Sequence, residues 1–198
     1  MACMKKRNVP MMIQIGSTGR NSGKTTIAKA IISENRQLAP IYGLKIITIS
    51  GAKGKCQRGE TGCGICTSID EGYELIEEKN NRGSKDTMQL LRAGCEKVYL
   101  LKVFYDHLLE GFLAFQALVP RKALIVCESN SVREVIKPGL FIMMSNQKGM
   151  KKTAAKVIDQ ADLILTTPSL PENFYLVKEK TGIHYSKNVH DRREKIWG

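Results

Sequence analysis

The segment Gly16-Ser17-Thr18-Gly19-Arg20-Asn21-Ser22-Gly23-Lys24-Thr25-Thr26 holds the residue types that a bound polyphosphate demands. Glycines let backbone N–H groups turn inward onto phosphate oxygens, and the start of a helix adds the positive end of its dipole. A lysine in the place of Lys24 reaches the β- and γ-phosphates, and the hydroxyl of Thr25 ligates magnesium. This is the Walker A pattern with one departure, because Thr18 stands five residues before Gly23 where the pattern has glycine, with Gly16 and Gly19 on either side. The loop is therefore expected to bend slightly differently. A glycine-rich turn that merely capped a helix would have no use for a lysine followed by two threonines. The nucleotide site is expected at Gly19, Arg20, Asn21, Ser22, Gly23, Lys24, Thr25 and Thr26, with Arg20 either set against the γ-phosphate or facing water.

Such a site needs an acid that holds the magnesium ion, placed at the end of a neighbouring strand. Glu128 follows the apolar run Ala123-Leu124-Ile125-Val126-Cys127 and would emerge at the carboxyl edge of a sheet, where open α/β sheets bind ligands. Asp70 and Asp86 compete with it for this role, each against the plainer reading of a surface acid. Lys24 and Glu128 are the expected catalytic pair, with Thr25 and Glu128 on magnesium.

Cys56, Cys63 and Cys66 lie in a second glycine-rich stretch, and the Cys63/Cys66 spacing lets two thiolates share one zinc ion or iron–sulfur cluster edge. Cys95, Cys3 or a residue of a partner subunit would supply a fourth ligand. The alternative is three reduced thiols without metal, since the same spacing also serves redox sites. Cys127, inside an apolar strand, reads as core, as do Met11, Met12, Met143 and Met144. His107, His184 and His190 stand alone, without a carboxylate or thiol at ligand spacing.

The elements that would carry these residues alternate. Pro10 to Ile15 reads as a strand, and Thr25 to Leu38 as a helix with Ile27, Ala28, Ile31 and Ile32 on one face. Further strands are expected over Leu44 to Ser50, Val98 to Val103, Ala123 to Cys127, Leu140 to Met144 and Leu163 to Thr167. Helices are expected over Ser68 to Glu78, Lys85 to Ala93, Asp106 to Leu118 and Glu172 to Lys180. Continuous apolar strands joined by helices require a mostly parallel sheet covered on both faces. The fold class is α/β, three-layered and Rossmann-like, the P-loop NTPase architecture. One domain spanning 1–198 is expected, with a Cys-rich insertion at about 51–81 and a basic, partly disordered tail after 182.

The bulk composition narrows the partners. The 198 residues are 42% hydrophobic and 25% charged, which excludes a disordered or fibrous chain. A net charge of +12 favours polyanions, but its runs at Lys5 to Arg7, Lys148 to Lys152 and Lys187 to Lys195 do not interleave with aromatics, so nucleic acid is not the expected partner. No apolar run approaches the roughly 18 residues of a membrane span. The apolar start runs into the phosphate loop without a cleavage site, so a cytoplasmic location is expected.

With the loop, the strand ending in Glu128 and the segment Lys85-Asp86-Thr87-Met88-Gln89-Leu90-Leu91-Arg92-Ala93-Gly94 together, the chain resembles the molybdopterin-guanine dinucleotide biosynthesis protein B family. The resemblance runs from about Met11 to Thr167. It implies a Rossmann-like P-loop protein, usually a homodimer, that binds GTP and assists attachment of a nucleotide to the molybdenum cofactor. The chain departs from that family at Cys127-Glu128-Ser129, where a valine-glutamate-glycine end is typical. It departs again where Cys56, Cys63 and Cys66 replace a histidine-rich stretch.

Three functions fit these residues. The first is an NTPase, with magnesium and ATP or GTP, that serves molybdenum-cofactor or metallocluster assembly beside a partner enzyme. The second is a small-molecule kinase with Arg82 or Arg92 in a lid. The third is a non-catalytic module in which nucleotide or metal controls docking. The faint echo of a guanine-reading motif at Asn146-Gln147-Lys148 lacks its aspartate, Met150 standing there, and leaves the base open.

Overall fold

Hydrophobic periodicity decides the layout. The computed structural model describes residues 6–37, 39–49, 69, 71–146, 149–179 and 182–186. β1 (Arg7–Ser17), β2 (Ile41–Ile49), β3 (Tyr73–Glu77), β4 (Lys97–Phe104), β5 (Leu124–Glu128), β6 (Ile136–Met144) and β7 (Leu163–Leu165) form one seven-stranded sheet in the order β3-β4-β2-β5-β1-β6-β7. Every neighbouring pair is parallel except β3 with β4. Parallel pairing needs crossovers, and α1 (Lys24–Asn35), α2 (Asp86–Ala93), α3 (Leu108–Ala117) and the short α4 (Lys152–Ala155) supply helical ones.

Alternate residues of each strand feed two cores. On one face Ile13, Ile15, Ile41, Val98, Leu124 and Val126 pack under Ile27, Ala28, Ile31 and Ile32 of α1 and Leu90 of α2. On the other, Met12, Leu44, Leu101, Val103 and Ile125 pack under Phe112 and Phe115 of α3, and Phe141 and Met143 pack under α4. Each fully buried large apolar side chain contributes about 1.5–3 kcal/mol. Met12, Met143 and Met144 are wholly buried, as a core reading of the methionines expects.

Two segments differ from the expected elements. Within Ser68 to Glu78, expected as a helix, Tyr73–Glu77 is instead the antiparallel edge strand β3, hydrogen-bonded along β4 from Tyr73↔Val103 to Glu77↔Tyr99. Within Glu172 to Lys180, also expected as a helix, Tyr175–Glu179 is β8, which pairs with β9 (Gly182–Ser186) in a two-stranded hairpin. Phe174 and Ile183 of that hairpin region close over the α1 side of the sheet, with Phe174 stacked on Tyr185 at 5.8 Å. The tail beyond 186 lies outside the described residues.

The hairpin sits close to the sheet because Gly139 permits it. β1 and β6 shift register between Val9 and Ile13, and a Cβ at Gly139 would stand 2.1 Å from the Pro10 carbonyl oxygen and 2.7 Å from that of Ile183. Both obstacles are backbone and cannot rotate away. Gly139→Ala is therefore expected to lower unfolding stability in urea by ~1–3 kcal/mol, the usual cost of overpacking, and an unchanged midpoint would rule out this close approach.

Among the described residues no helix is long and apolar enough to cross a membrane.

Candidate functional site

The central strand β1 lies between β5 and β6, and the Gly16–Thr26 segment continues from its carboxyl end into α1. The strand order reverses here, with β5, β2 and β4 to one side of β1 and β6 and β7 to the other, the position at which open α/β sheets bind ligands. The loop is built from backbone ties. Ser17 N–H donates to Asn130 Oδ1 at 2.7 Å and Asn130 Nδ2 returns a bond to the Ser17 carbonyl at 2.9 Å. Thr18 N–H donates to the Met144 carbonyl, and the Lys151 N–H to the Thr18 carbonyl at 2.8 Å.

Thr18, the departure from the motif, has a structural use. It is fully buried, and its hydroxyl accepts the Asn146 N–H at 3.0 Å, which ties the loop to the segment after β6. The Gly19 carbonyl takes bonds from the Ser17 hydroxyl (2.8 Å) and the Lys151 ammonium (3.0 Å). A Cβ at Gly19 would fall 2.4 Å from Asn146 Oδ1, so the side-chain amide and the loop backbone are in close contact. Asn21 sits at φ 52°, a left-handed conformation that asparagine tolerates, and Gly23 at φ 87°. Gly23 is the N-cap of α1. It has no side chain to cap the helix, and the first turn carries no acid, so the positive end of the dipole is left for an outside anion.

Lys24 and Thr25 open that helix. The Lys24 ammonium donates to Ser17 Oγ at 2.8 Å. Burial, and next the nearby Lys45, depress the Lys24 pKa below the usual lysine range, against smaller opposing pulls from Glu128 and Asp86. The Thr25 hydroxyl donates to Asp86 Oδ1 at 3.2 Å, so of the two described candidate acids, Asp86 and Glu128, it is Asp86 that it touches directly. Asp70 lies outside the described residues.

Glu128 ends β5, its side chain fully buried. Alternation along the strands brings it to the α1 side, in register with Ile15 of β1 and Lys45 of β2. It reaches the cluster through Lys45, whose ammonium donates to Glu128 Oε2 at 2.6 Å and to Asp86 Oδ2 at 2.7 Å. The second oxygen, Glu128 Oε1, is buried without a hydrogen-bond partner. Burial works to lower the Lys45 pKa, but its two carboxylates outweigh that and raise it. Burial likewise works to raise Asp86, and the Lys45 and Thr25 contacts hold it below the usual carboxylate range.

Lys45 is the residue that sequence reasoning passed over. Its signal was a lone ammonium in the apolar run Ile41-Tyr42-Gly43-Leu44-Lys45-Ile46-Ile47, on the strand after the loop's own helix. Lysine in a strand buried on both faces needs an anionic partner.

A divalent ion would find here the Thr25 hydroxyl, Asp86 and the unpartnered Glu128 oxygen. That donor set suits magnesium, which binds to one or two carboxylates and completes its shell with phosphates and water. No group of three or more His, Cys, Asp or Glu side chains able to hold a metal by itself occurs among the described residues. Arg20 is exposed beside the loop, as is Thr26. Cys3, Cys56, Cys63 and Cys66 lie outside the described residues. Cys95 is buried against Gly43, far along the sheet from the loop, and burial pushes its thiol up to about 12. A thiol held neutral in this way is a poor metal ligand. Cys127 is fully buried core. His107 is not alone, since its Nδ1 lies 2.9 Å from Glu110 Oε2 one helical turn on. Comparison of the chain with protein-family models, with curated proteins and with solved structures finds no match.

Proposed function

We propose that the chain is a magnesium-dependent nucleoside-triphosphate-binding protein of P-loop type that hydrolyses its nucleotide and serves assembly of the molybdenum cofactor or of a metallocluster. One observation carries the reading. The uncapped start of α1 sets Lys24 and Thr25 beside Asp86, which Lys45 joins to Glu128, at the carboxyl edge of the sheet. Cationic and amide groups for a polyphosphate thus stand beside oxygen donors for its metal.

The chain's own groups divide the work. Loop amides and the α1 dipole bind the phosphates. Lys24 exchanges a neutral hydroxyl acceptor, Ser17 Oγ, for phosphate oxygens, which hold an ammonium more strongly. Thr25, Asp86 and Glu128 would hold magnesium, which when bound offsets the charge that develops on the transferring phosphoryl group. Catalysis in this class is positioning and electrostatics, and those are the functions these residues can perform.

The link to molybdenum-cofactor assembly is supported by the second motif of the family resemblance. Asp86 of the Lys85–Gly94 segment opens α2 and reaches into the site, so that segment has a reason to occur together with the loop. A homodimer, a cofactor-assembly partner and a cytoplasmic setting belong to the same proposal, as does metal at Cys56, Cys63 and Cys66. Calorimetric titration with ATP and with GTP, each with magnesium, is expected to give saturable one-site binding, and phosphate release is expected without any acceptor. Turnover only with an added acceptor hydroxyl would make the chain a kinase. Binding without turnover would make it a nucleotide-controlled docking module.

A further inference from the structure

Lys45 has no place in the Gly16–Thr26 motif, yet the carboxylates of the site converge on it. Its ammonium lies 2.6 Å from Glu128 Oε2 and 2.7 Å from Asp86 Oδ2. The other Asp86 oxygen takes the Thr25 hydroxyl, and the other Glu128 oxygen is buried with no partner. Two carboxylates gripping one cation beside a hydroxyl make a cation site, and its occupant here is an ammonium on a flexible four-carbon stem.

A divalent ion on Asp86 and the unpartnered Glu128 oxygen would sit beside an ammonium already held by the same two carboxylates. Magnesium binds carboxylate oxygens at about 2.0–2.1 Å, which would set the two cations within a few ångströms of each other in a poorly hydrated site. One of them has to leave. Lys45 can, because its stem is tethered at mid-strand and its side chain keeps 19% exposure.

We infer that Lys45 is an internal counterion that fills the divalent-cation site of the nucleotide-free protein and is displaced toward the triphosphate when magnesium and nucleotide enter together. The displacement rests on the proposed nucleotide site; the occupancy does not. The nucleotide-free chain then binds divalent ions weakly, and metal enters only with the nucleotide. Lys45 acts as a positioning residue, since it governs when the metal carboxylates are available.

The test uses the full chain and Mn2+ alone, with the free ion followed by electron paramagnetic resonance. Lys45→Met is expected to bind Mn2+ at least about tenfold more tightly than wild type, because a like charge next to the ion is gone. Lys45→Arg, which keeps the charge, is expected to stay near wild type. A merely structural lesion would weaken metal binding, so Mn2+ affinity in Lys45→Met equal to or below wild type overturns the inference. Should that variant fail to fold, zero-length carbodiimide cross-linking of wild type is decisive. A Lys45–Asp86 cross-link is expected in the metal-free chain, Asp86 being 43% exposed, and its loss is expected with Mn2+ and a non-hydrolysable triphosphate. A cross-link that persists with the triphosphate bound overturns the displacement. A chain that takes up no triphosphate, but whose Lys45→Met variant gains Mn2+, refutes the nucleotide site and leaves the counterion standing.

Discussion

Lys24→Ala is expected to weaken binding of the magnesium triphosphate by about 100-fold, from the loss of charge-assisted bonds of ~1.5–3 kcal/mol each, while leaving the melting temperature unchanged or slightly higher. The two halves have one cause. In the nucleotide-free protein Lys24 is half-buried beside Lys45 and makes one bond to a neutral hydroxyl, so its charge is better accommodated in water than in the fold. A lysine whose pKa is depressed on folding binds fewer protons in the native than in the unfolded chain just below pH 10.5, so its contribution to stability rises with pH in that window. A triphosphate reverses this by drawing the proton back. Calorimetry at alkaline pH in two buffers of different ionisation heat should therefore register proton uptake on binding by wild type and none by Lys24→Ala. Equal triphosphate affinities for the two proteins would remove the phosphate site altogether.

The strand, loop and helix around Gly16–Thr26 were readable because their signals are local. Gly23, Lys24 and Thr25 are adjacent in sequence, and the apolar run before them ends at glycine, so no long-range information was needed. The parallel strands were readable for a related reason, since a strand covered on both faces is apolar at nearly every position. β3 was not. Tyr73-Glu74-Leu75-Ile76-Glu77 is an edge strand, half-exposed throughout, and its glutamates fit a helix as well as they fit a solvated edge. The β8–β9 pair escaped for a similar reason, because Glu172, Lys178 and Glu179 favour helix while the pairing that decides the matter is with a separate segment, Gly182–Ser186. The acidic side of the candidate site was half legible. Glu128 was found from its place after an apolar run, and Asp86 only as one of several acids. What joins them is the α1-side parity of β2 and β5, a fact of sheet order that no single segment carries.

That joining residue sets the other large effect. Lys45→Met is expected to destabilise the fold by ~2–4 kcal/mol, somewhat below the range for breaking a fully buried ion pair because Lys45 retains some exposure. The loss would come mainly from Glu128, whose wholly buried carboxyl group loses the ammonium that holds it. Glu128→Gln should cost less, since Lys45 keeps Asp86 and can turn toward solvent. Combining Lys45→Met with Glu128→Gln should recover part of the deficit, because no unpaired charge is then left inside, and the double-variant cycle measures the coupling directly. The pH dependence has a defined shape. Asp86 is depressed in the fold, so its contribution is present above about pH 3.8 and is lost as pH falls through its lower folded value. Lys45 is raised, so its contribution is present below about pH 10.5 and is lost as pH climbs past its higher folded value. Urea midpoints of wild type minus Lys45→Met, plotted against pH, should form a plateau between those limits that falls away on both sides. A difference that stays flat into acid and into alkali would mean that Lys45 stabilises the chain by packing its stem and not by holding the two carboxylates, and the counterion would have no electrostatic basis.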